Sequence, residues 1–166
     1  MRVTPQIICD IIQNALVLDA DQIWIYNQRR SIPEDKRMYI SVGVLAIKPY
    51  GNNTKVEATA TGMQDNMAQY IQETLEINIF SYTTEALERY PEILGALRGT
   101  YSQQVQAELA LKIAVIPSNI SDVSDIEGAA RLYRIVITLP VLRKYSMLIG
   151  ASYYDTITPG YIAATE

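Results

Sequence analysis

The sequence predicts an α+β fold, a two-layer sandwich in which two amphipathic helices pack on one face of a mostly antiparallel sheet. Apolar residues recur at spacings of three and four in two segments and alternate with polar residues in several others. These segments follow the order helix, four strands, helix, two strands. A chain of 166 residues can bury one well-formed core. We therefore expect one domain over residues 1–155 and a C-terminal tail over 156–166.

The first helix is predicted over residues 5–18. Thr4 and Pro5 favour a helix start, because a hydroxyl can cap the helix and proline suits its first position. Isoleucine and leucine then form a broad apolar stripe. Cys9 lies in this stripe, where it is either a reactive thiol or, as is usual for a free cysteine, a small packed apolar side chain.

Four strands are predicted between the two helices. Residues 22–27 are aromatic and β-branched, and residues 38–47 alternate in polarity. The sequence PYGNN at 49–53 predicts a hairpin turn, because Gly and Asn accept the backbone angles of tight turns. A strand with one polar face follows at 55–61. Residues 70–80 are predicted as the fourth strand, although the residues just before them could equally start a helix.

The second half of the chain predicts a helix beginning at Thr83 or Thr84 that breaks or kinks near Gly99. A short strand at 113–116 is followed by a long, polar and acidic loop at 118–128. The last strand, at 132–142, shows the clearest alternation. Pro140 within it indicates an edge position or a bulge.

The composition argues against several kinds of catalytic and cofactor-binding site. The chain has no histidine and one cysteine, so it cannot assemble a Cys/His zinc cluster, and the commonest general base is missing. Phosphate-binding glycine motifs and a GxSxG elbow are also missing. We expect no enzyme, no cofactor and no metal.

A net charge of −4 argues against charge-driven binding to nucleic acid. No apolar run has the length of a membrane helix, and Asp10 interrupts the only N-terminal stretch that resembles a signal peptide.

Three carboxylates stand close together in the predicted acidic loop, namely Asp122, Asp125 and Glu127. Such a group could hold a hard cation through its oxygens, but the spacing does not fit an EF-hand. A solvated loop is the plainest interpretation. We favour a loop whose negative charge faces a partner or a channel.

Two further features favour contact with other proteins. The chain has twelve tyrosines and one phenylalanine, and tyrosine suits surfaces with one dry and one wet end. Basic pairs occur in the loop at 27–37 and again at Arg143 and Lys144. Acidic residues between the loop pairs largely cancel their charge, so this loop is either solvated or an interface. Its charged residues are Arg29, Arg30, Glu34, Asp35, Lys36 and Arg37.

Residues 22–155 resemble the tail terminator and neck proteins of tailed bacteriophages. The most specific parts are TYSQQ at 100–104, within a helix, and EGAARLYR at 127–134, at the entry to a strand. Residues 1–21 and 156–166 carry no such resemblance. The resemblance implies a structural virion protein that is assembled in the host cytoplasm. Such a protein forms a homohexameric ring, caps the tail tube and joins it to the neck.

The resemblance also implies partners and surfaces. The partners are the tail tube protein and the neck or connector proteins, with the sheath as a further candidate, while genomic DNA passes without specific binding. We expect the contacts in the loop at 27–37, in the turn at 49–53 (Tyr50, Asn52, Asn53) and in the tail. The acidic loop is expected to line the ring opening. The alternatives are a head-side connector, or a small carboxylate-dependent enzyme or binding domain.

Overall fold

A computed structural model describes residues 3–26, 33, 35–59, 62–127 and 130–150. Of residues 56–59, 62–64, 125–127, 130–131 and 148–150 it describes the backbone alone. Helices and a mixed sheet within this part confirm the predicted α+β fold. The helices are α1 (Thr4–Leu16), α2 (Glu85–Arg98) and α3 (Thr100–Glu108). The strands are β1 (Ile23–Ile25), β2 (Tyr39–Thr59), β3 (Gly62–Ser81), β4 (Leu111–Ile113), β5 (Asn119–Asp122), β6 (Asp125–Glu127) and β7 (Ala130–Gly150).

Three long strands form the centre of the sheet. The strand order is β1-β2-β3-β7-β4, and β5 and β6 also pair with β7. β1 runs parallel to β2, and the other pairs are antiparallel. The β3–β7 ladder runs without a shift from Ser81–Tyr133 to Gln64–Gly150. Since side chains alternate across a strand, this register assigns every described residue of the ladder to one of two faces.

The helices cover one face of one half of the sheet. Odd-numbered residues of β3 and β7 and even-numbered residues at the start of β2 point at them and form the main core. α1 contributes an isoleucine stripe at the predicted helical spacing. The fully or almost fully buried members are Ile7, Ile8, Ile11, Ile12, Met38, Ile40, Val42, Leu75, Ile77, Ile79, Ala86, Ile93, Ile137, Leu139 and Val141.

Two details of α1 differ from the sequence-based expectation or refine it. The helix begins one residue earlier than expected: Val3 is the N-cap, and Thr4 is the first helical residue, without a capping bond from its side chain. The Thr4 hydroxyl is instead a buried acceptor for Arg143. Cys9 is 4% exposed in the core, and burial, followed by the charge of Asp10, raises its pKa to about 12. Cys9 is therefore a packed side chain and not a thiolate at neutral pH.

The predicted turn at 49–53 is wrong. These residues lie inside β2, which continues to Thr59, and β3 begins at Gly62. The ladder between β2 and β3 shifts at Leu45 and again at Tyr50. The second shift explains the misleading signal, because residues that suit tight turns also suit a β-bulge. β3 accordingly begins eight residues before the predicted strand at 70–80.

The predicted acidic loop is wrong in its first and last parts. Residues 119–122 and 125–127 are short strands that pair with β7. Pairing here satisfies backbone groups along the outer edge of β7, which would otherwise be open. By contrast, the break near Gly99 is confirmed. α2 ends at Arg98, α3 begins at Thr100, and Gly99 between them is extended.

Candidate assembly surface

The three central strands extend well beyond the helices. Each has 20 or 21 residues, which corresponds to roughly 65 Å, whereas the 13 residues of α1 span about 20 Å. Val42, Leu75 and Val141 are the last core residues along the three strands in the direction of Thr59. We call the part beyond them, residues 48–59, 62–72 and 144–150, the arm.

Apolar side chains that a core would normally bury are exposed on the arm and at its base. Every described side chain from Val44 to Lys55 of β2 is exposed. A cluster of large exposed apolar side chains is typical of a surface that contacts another molecule. They comprise Val44, Leu45, Ile47, Tyr50, Met67 and Met147.

The strand register separates the arm into two faces. The helix-side face continues the core face, and it holds Gln69, Tyr145 and Asn52 at one level of the ladder. A shallow groove of about 600 Å³ on this face is lined by those three residues together with Met67, Ile71 and Met147. The outer face is the opposite one. On it, Tyr70 stands opposite Gly51, and its ring centre is 5.9 Å from that of Tyr50.

A buried polar network lies where the arm meets α1. Arg143 is 4% exposed, and its Nη1 donates a hydrogen bond to Thr4 Oγ1 at 3.0 Å. Its guanidinium lies 4.9 Å from the centre of the Tyr145 ring, a distance at which cation and ring attract each other. The Tyr145 hydroxyl donates to Glu73 Oε1 at 3.3 Å. Burial, and then the neighbouring carboxylate, raise the pKa of Tyr145.

The second oxygen of Glu73 is different. Glu73 is 7% exposed, and its Oε2 is buried without a hydrogen-bond partner in the described part of the chain. A groove of about 330 Å³ is lined by Glu73 and Arg143 and by the apolar residues Val3, Pro5, Val44 and Ile47. A buried carboxylate oxygen is costly unless a donor reaches it. The groove therefore favours a ligand that has an apolar stem and a hydrogen-bond donor at its end.

The predicted contact loop lies at the other end of the sheet, as far as it is described. Arg37 contacts Asp35 at 2.9 Å, Asp21 at 3.1 Å and Asp19 at 3.7 Å. Hydrogen bonds from Arg37 and from Tyr39 lower the pKa of Asp35. Lys36 contributes its carbonyl to Thr83 at 3.3 Å. These bonds fasten the end of the loop to its own subunit. Arg29, Arg30 and Glu34 lie outside the described residues.

The expected lumen residues fall on β5 and β6. Asp122 ends β5 and accepts a hydrogen bond from the Ser124 amide at 2.9 Å and another from the Ser124 hydroxyl. Asp125 and Glu127 lie on β6, where the backbone alone is described. In the described part of the chain, no group of His, Cys, Asp and Glu side chains could hold a metal ion.

The two sequence motifs that carry the resemblance contribute side chains that link neighbouring elements of the fold. In the TYSQQ segment, the buried Ser102 hydroxyl donates to the Leu97 carbonyl at 2.7 Å and accepts from Gln106 at 3.0 Å. Gln106 also accepts from the amide of Ile113, so it links α3 to β4. These bonds fix the turn between α2 and α3.

The last arginine of EGAARLYR joins β7 to β3. Arg134 donates from Nε and Nη2 to Asn78 Oδ1 at 3.0 and 2.6 Å, and its guanidinium lies 5.4 Å from the centre of the Phe80 ring. Asn78 is fully buried. The arginine therefore satisfies a buried amide on the outer face of the sheet.

Sequence reasoning did not identify Glu73 as a site residue. Its position carried a usable signal, because Glu73 has the same parity as Ile71, Leu75 and Ile77 and therefore had to point inward. Arg143 was noticed as one half of a basic pair. Neither pattern indicated that the start of α1 would cover both residues.

Comparison with known proteins finds similar solved structures but no matching family. No protein-family model matches the chain, and no curated protein does so. Among solved structures, the chain is similar to the sheath/tube terminator of an extracellular contractile injection system, PVC, determined by cryo-EM in the extended state. The two chains are 14% identical, and the TM-score is 0.36. The match covers 95% of this chain and 66% of that one. A TM-score of this size does not establish a shared fold.

None of the helices in the described residues is both long and apolar enough to cross a membrane.

Proposed function

We propose that this chain is a structural protein of a tailed virion, a tail terminator whose homohexameric ring caps the tail tube and joins it to the neck. The observation that carries the proposal is the arm. Three strands of 20 or 21 residues continue past the helices and expose apolar side chains on a surface that the described part of the chain does not cover. A monomeric enzyme has no physical need for such an extension.

The resemblance supplies the particular assembly. Ser102 of TYSQQ and Arg134 of EGAARLYR make hydrogen bonds that hold α3 and β7 in place. Such a structural role is expected for motifs of a structural family. On this proposal the tail tube, the neck proteins and the sheath bind different parts of the ring. The arm, with Tyr50, Asn52 and Asn53, is our candidate for contacts between subunits or with partners.

The acidic strands β5 and β6 are our candidate for the ring opening. Asp122 is exposed at the end of β5, and Asp125 and Glu127 follow on β6. Negative groups around an opening repel a passing phosphate backbone and so prevent DNA from adhering to it. Replacing all three by lysine would slow DNA delivery while leaving the ring intact. Unchanged delivery by particles with this triple substitution would reject the assignment to the lumen.

The proposal is tested by disrupting the reading frame in the virus that carries it. A cap stops growth at a tube end, so without it we expect filled heads, separate tails and a broad distribution of tube lengths in electron micrographs. Wild-type protein supplied in trans should restore joined particles. A label on the protein should then lie at the upper end of free tails. A label found on free heads would indicate the head-side connector instead, and normal particles without the protein would reject both roles.

A further inference from the structure

The described side chains of the arm differ in charge between its two faces. Lys48, Lys55 and Lys144 are exposed and lie opposite Gln72, Asn66 and Tyr70, all on the outer face. In the described side chains of that face of the arm there is no carboxylate. On the helix-side face Asp65 lies toward the end of the arm, and Glu73 lies at its base. Arg143 is on the same face but is buried beneath the start of α1.

The helix-side face also has the shape to receive lysine side chains. A lysine has a four-carbon apolar stem and a cationic end with three donors. The groove at the arm base has mostly apolar walls and is lined by Glu73 and Arg143 as well. Glu73 Oε2 is buried and has no hydrogen-bond partner among the described residues. The neighbouring groove of about 600 Å³ is lined by methionines and Ile71, and methionine adapts easily to an apolar partner.

We propose that the outer face of one arm packs on the helix-side face of the arm of a second copy, with the outer-face lysines against Asp65 and Glu73. This inference rests on the proposed function, because it names the contact through which the ring would form. The two faces are different surfaces, so the contact is heterologous. A bound pair still offers one free face of each kind, and repetition closes a ring if the rotation allows it.

The size of the arm sets the strength of this contact. Three strands over about nine residue levels give a face of roughly 30 by 14 Å, or about 400 Å². This is half of the area that each partner contributes to a standard stable interface. A single arm contact is therefore weak and sensitive to salt, since exposed charges are screened over about 10 Å at 0.1 M salt. Association is accordingly to be measured at high protein concentration and low ionic strength.

The first experiment is carbodiimide cross-linking of the whole chain, which joins a carboxylate directly to an amine in contact with it. A mixture of ¹⁵N-labelled and unlabelled protein distinguishes links between copies from links within one copy. We expect mixed-isotope peptides that join Lys48, Lys55 or Lys144 to Asp65 or Glu73. Links to these lysines from other carboxylates, or links within one copy only, would reject the contact.

The second experiment exchanges the charges. One variant carries Asp65→Lys with Glu73→Gln, and the other carries glutamate at all three lysine positions. Each variant alone places like charges across the contact, so we expect its association constant to fall at least about tenfold in sedimentation equilibrium. An equimolar mixture should associate again, because each altered face then meets a complementary one. A matched control, Glu88→Lys with Glu92→Gln, makes the same changes of charge at exposed residues of α2 and should associate like the wild type.

Each result has a defined meaning. Recovery in the mixture supports the contact. No recovery, or a wild-type chain that stays monomeric at low salt and about 1 mM, well above the Kd of a weak contact, rejects it. Folding of each variant is checked by circular dichroism, and Asp65→Lys alone replaces the double variant if Glu73→Gln does not fold. Variants that lose self-association but still cap tubes in the virus would reject this contact and leave the proposed function standing. A protein that forms the arm contact but fails to cap tubes would reject the proposed function and leave the contact standing.

Discussion

Alanine substitutions at Ile77 and at Ile47 separate the covered part of the sheet from its extension. Ile77 is 0% exposed in the core, whereas Ile47 is 63% exposed at the base of the arm. Removing a buried isoleucine side chain costs about 2–5 kcal/mol, because a cavity adds to the lost burial. At Ile47 about a third of the side chain is shielded and no closed cavity forms. The expected cost there is about 0.5–1 kcal/mol.

The two substitutions remove the same side chain from the same sheet, so differences in β-propensity largely cancel. We therefore expect the free energies of unfolding to differ by about 2–4 kcal/mol. Urea titration at low micromolar concentration measures this, with the fluorescence of Trp24, the one tryptophan and 7% exposed, as the probe. If Ile77→Ala does not fold, valine at both positions gives a smaller difference of the same sign, about 1 kcal/mol.

Equal losses at the two positions would refute the reasoning, because they would mean that Ile47 is covered. A concentration series adds a second criterion. If the arm is a contact between copies, the wild type should gain stability as its concentration rises, and Ile47→Ala should gain less. Stability independent of concentration in the wild type would contradict the arm contact but not the packing of the core.

Three further predictions concern the core and the loop. The pKa of Asp35 is lower in the folded protein than its ordinary value of 3.8. Its contribution to the free energy of unfolding is therefore fully present above pH 3.8 and is lost as the pH falls further. Asp35→Asn should therefore flatten the dependence of thermal stability on pH below about 4, and an unchanged pH profile would contradict the role of its bond with Arg37. Cys9, with a pKa of about 12, should resist a thiol reagent at pH 8 until urea unfolds the chain; rapid labelling of native protein would disprove its burial. Ser102→Ala should cost about 1–2 kcal/mol, and a double-mutant cycle with Gln106→Ala should show coupling above about 0.5 kcal/mol, whereas additive losses would mean that the two side chains act independently.

The elements that the sequence predicts well are those with one covered face. Ile7 to Ile12 follow the helical period, and Ile135 to Val141 follow the strand period, because burial on one side selects apolar residues at regular intervals. The break at Gly99 was equally predictable, because glycine weakens a helix interior and Pro91 had already weakened the same helix.

The elements that were missed lack such a pattern. Residues 48–55 have no covered face, so their polarity carries little information about register, and PYGNN resembled a turn. The short strands β5 and β6 exist because β7 offers them backbone partners, and pairing of this kind selects no particular side chain. Glu73 and Arg143 become neighbours of Thr4 only through the tertiary fold, which a local pattern cannot show.

The edge of β2 that faces away from β3 affects the aggregation tendency of newly synthesised chains. β1 pairs with Ile40 to Val42 alone, so from there to Thr59 no described strand pairs with this edge. A long, straight edge of this kind would invite strands of other molecules to add on and would seed fibres. The irregularities at Leu45 and Tyr50 and the missing amide hydrogen of Pro49 interrupt the row of donors and acceptors at short intervals. These interruptions lower the tendency of newly synthesised chains to join edge to edge along β2.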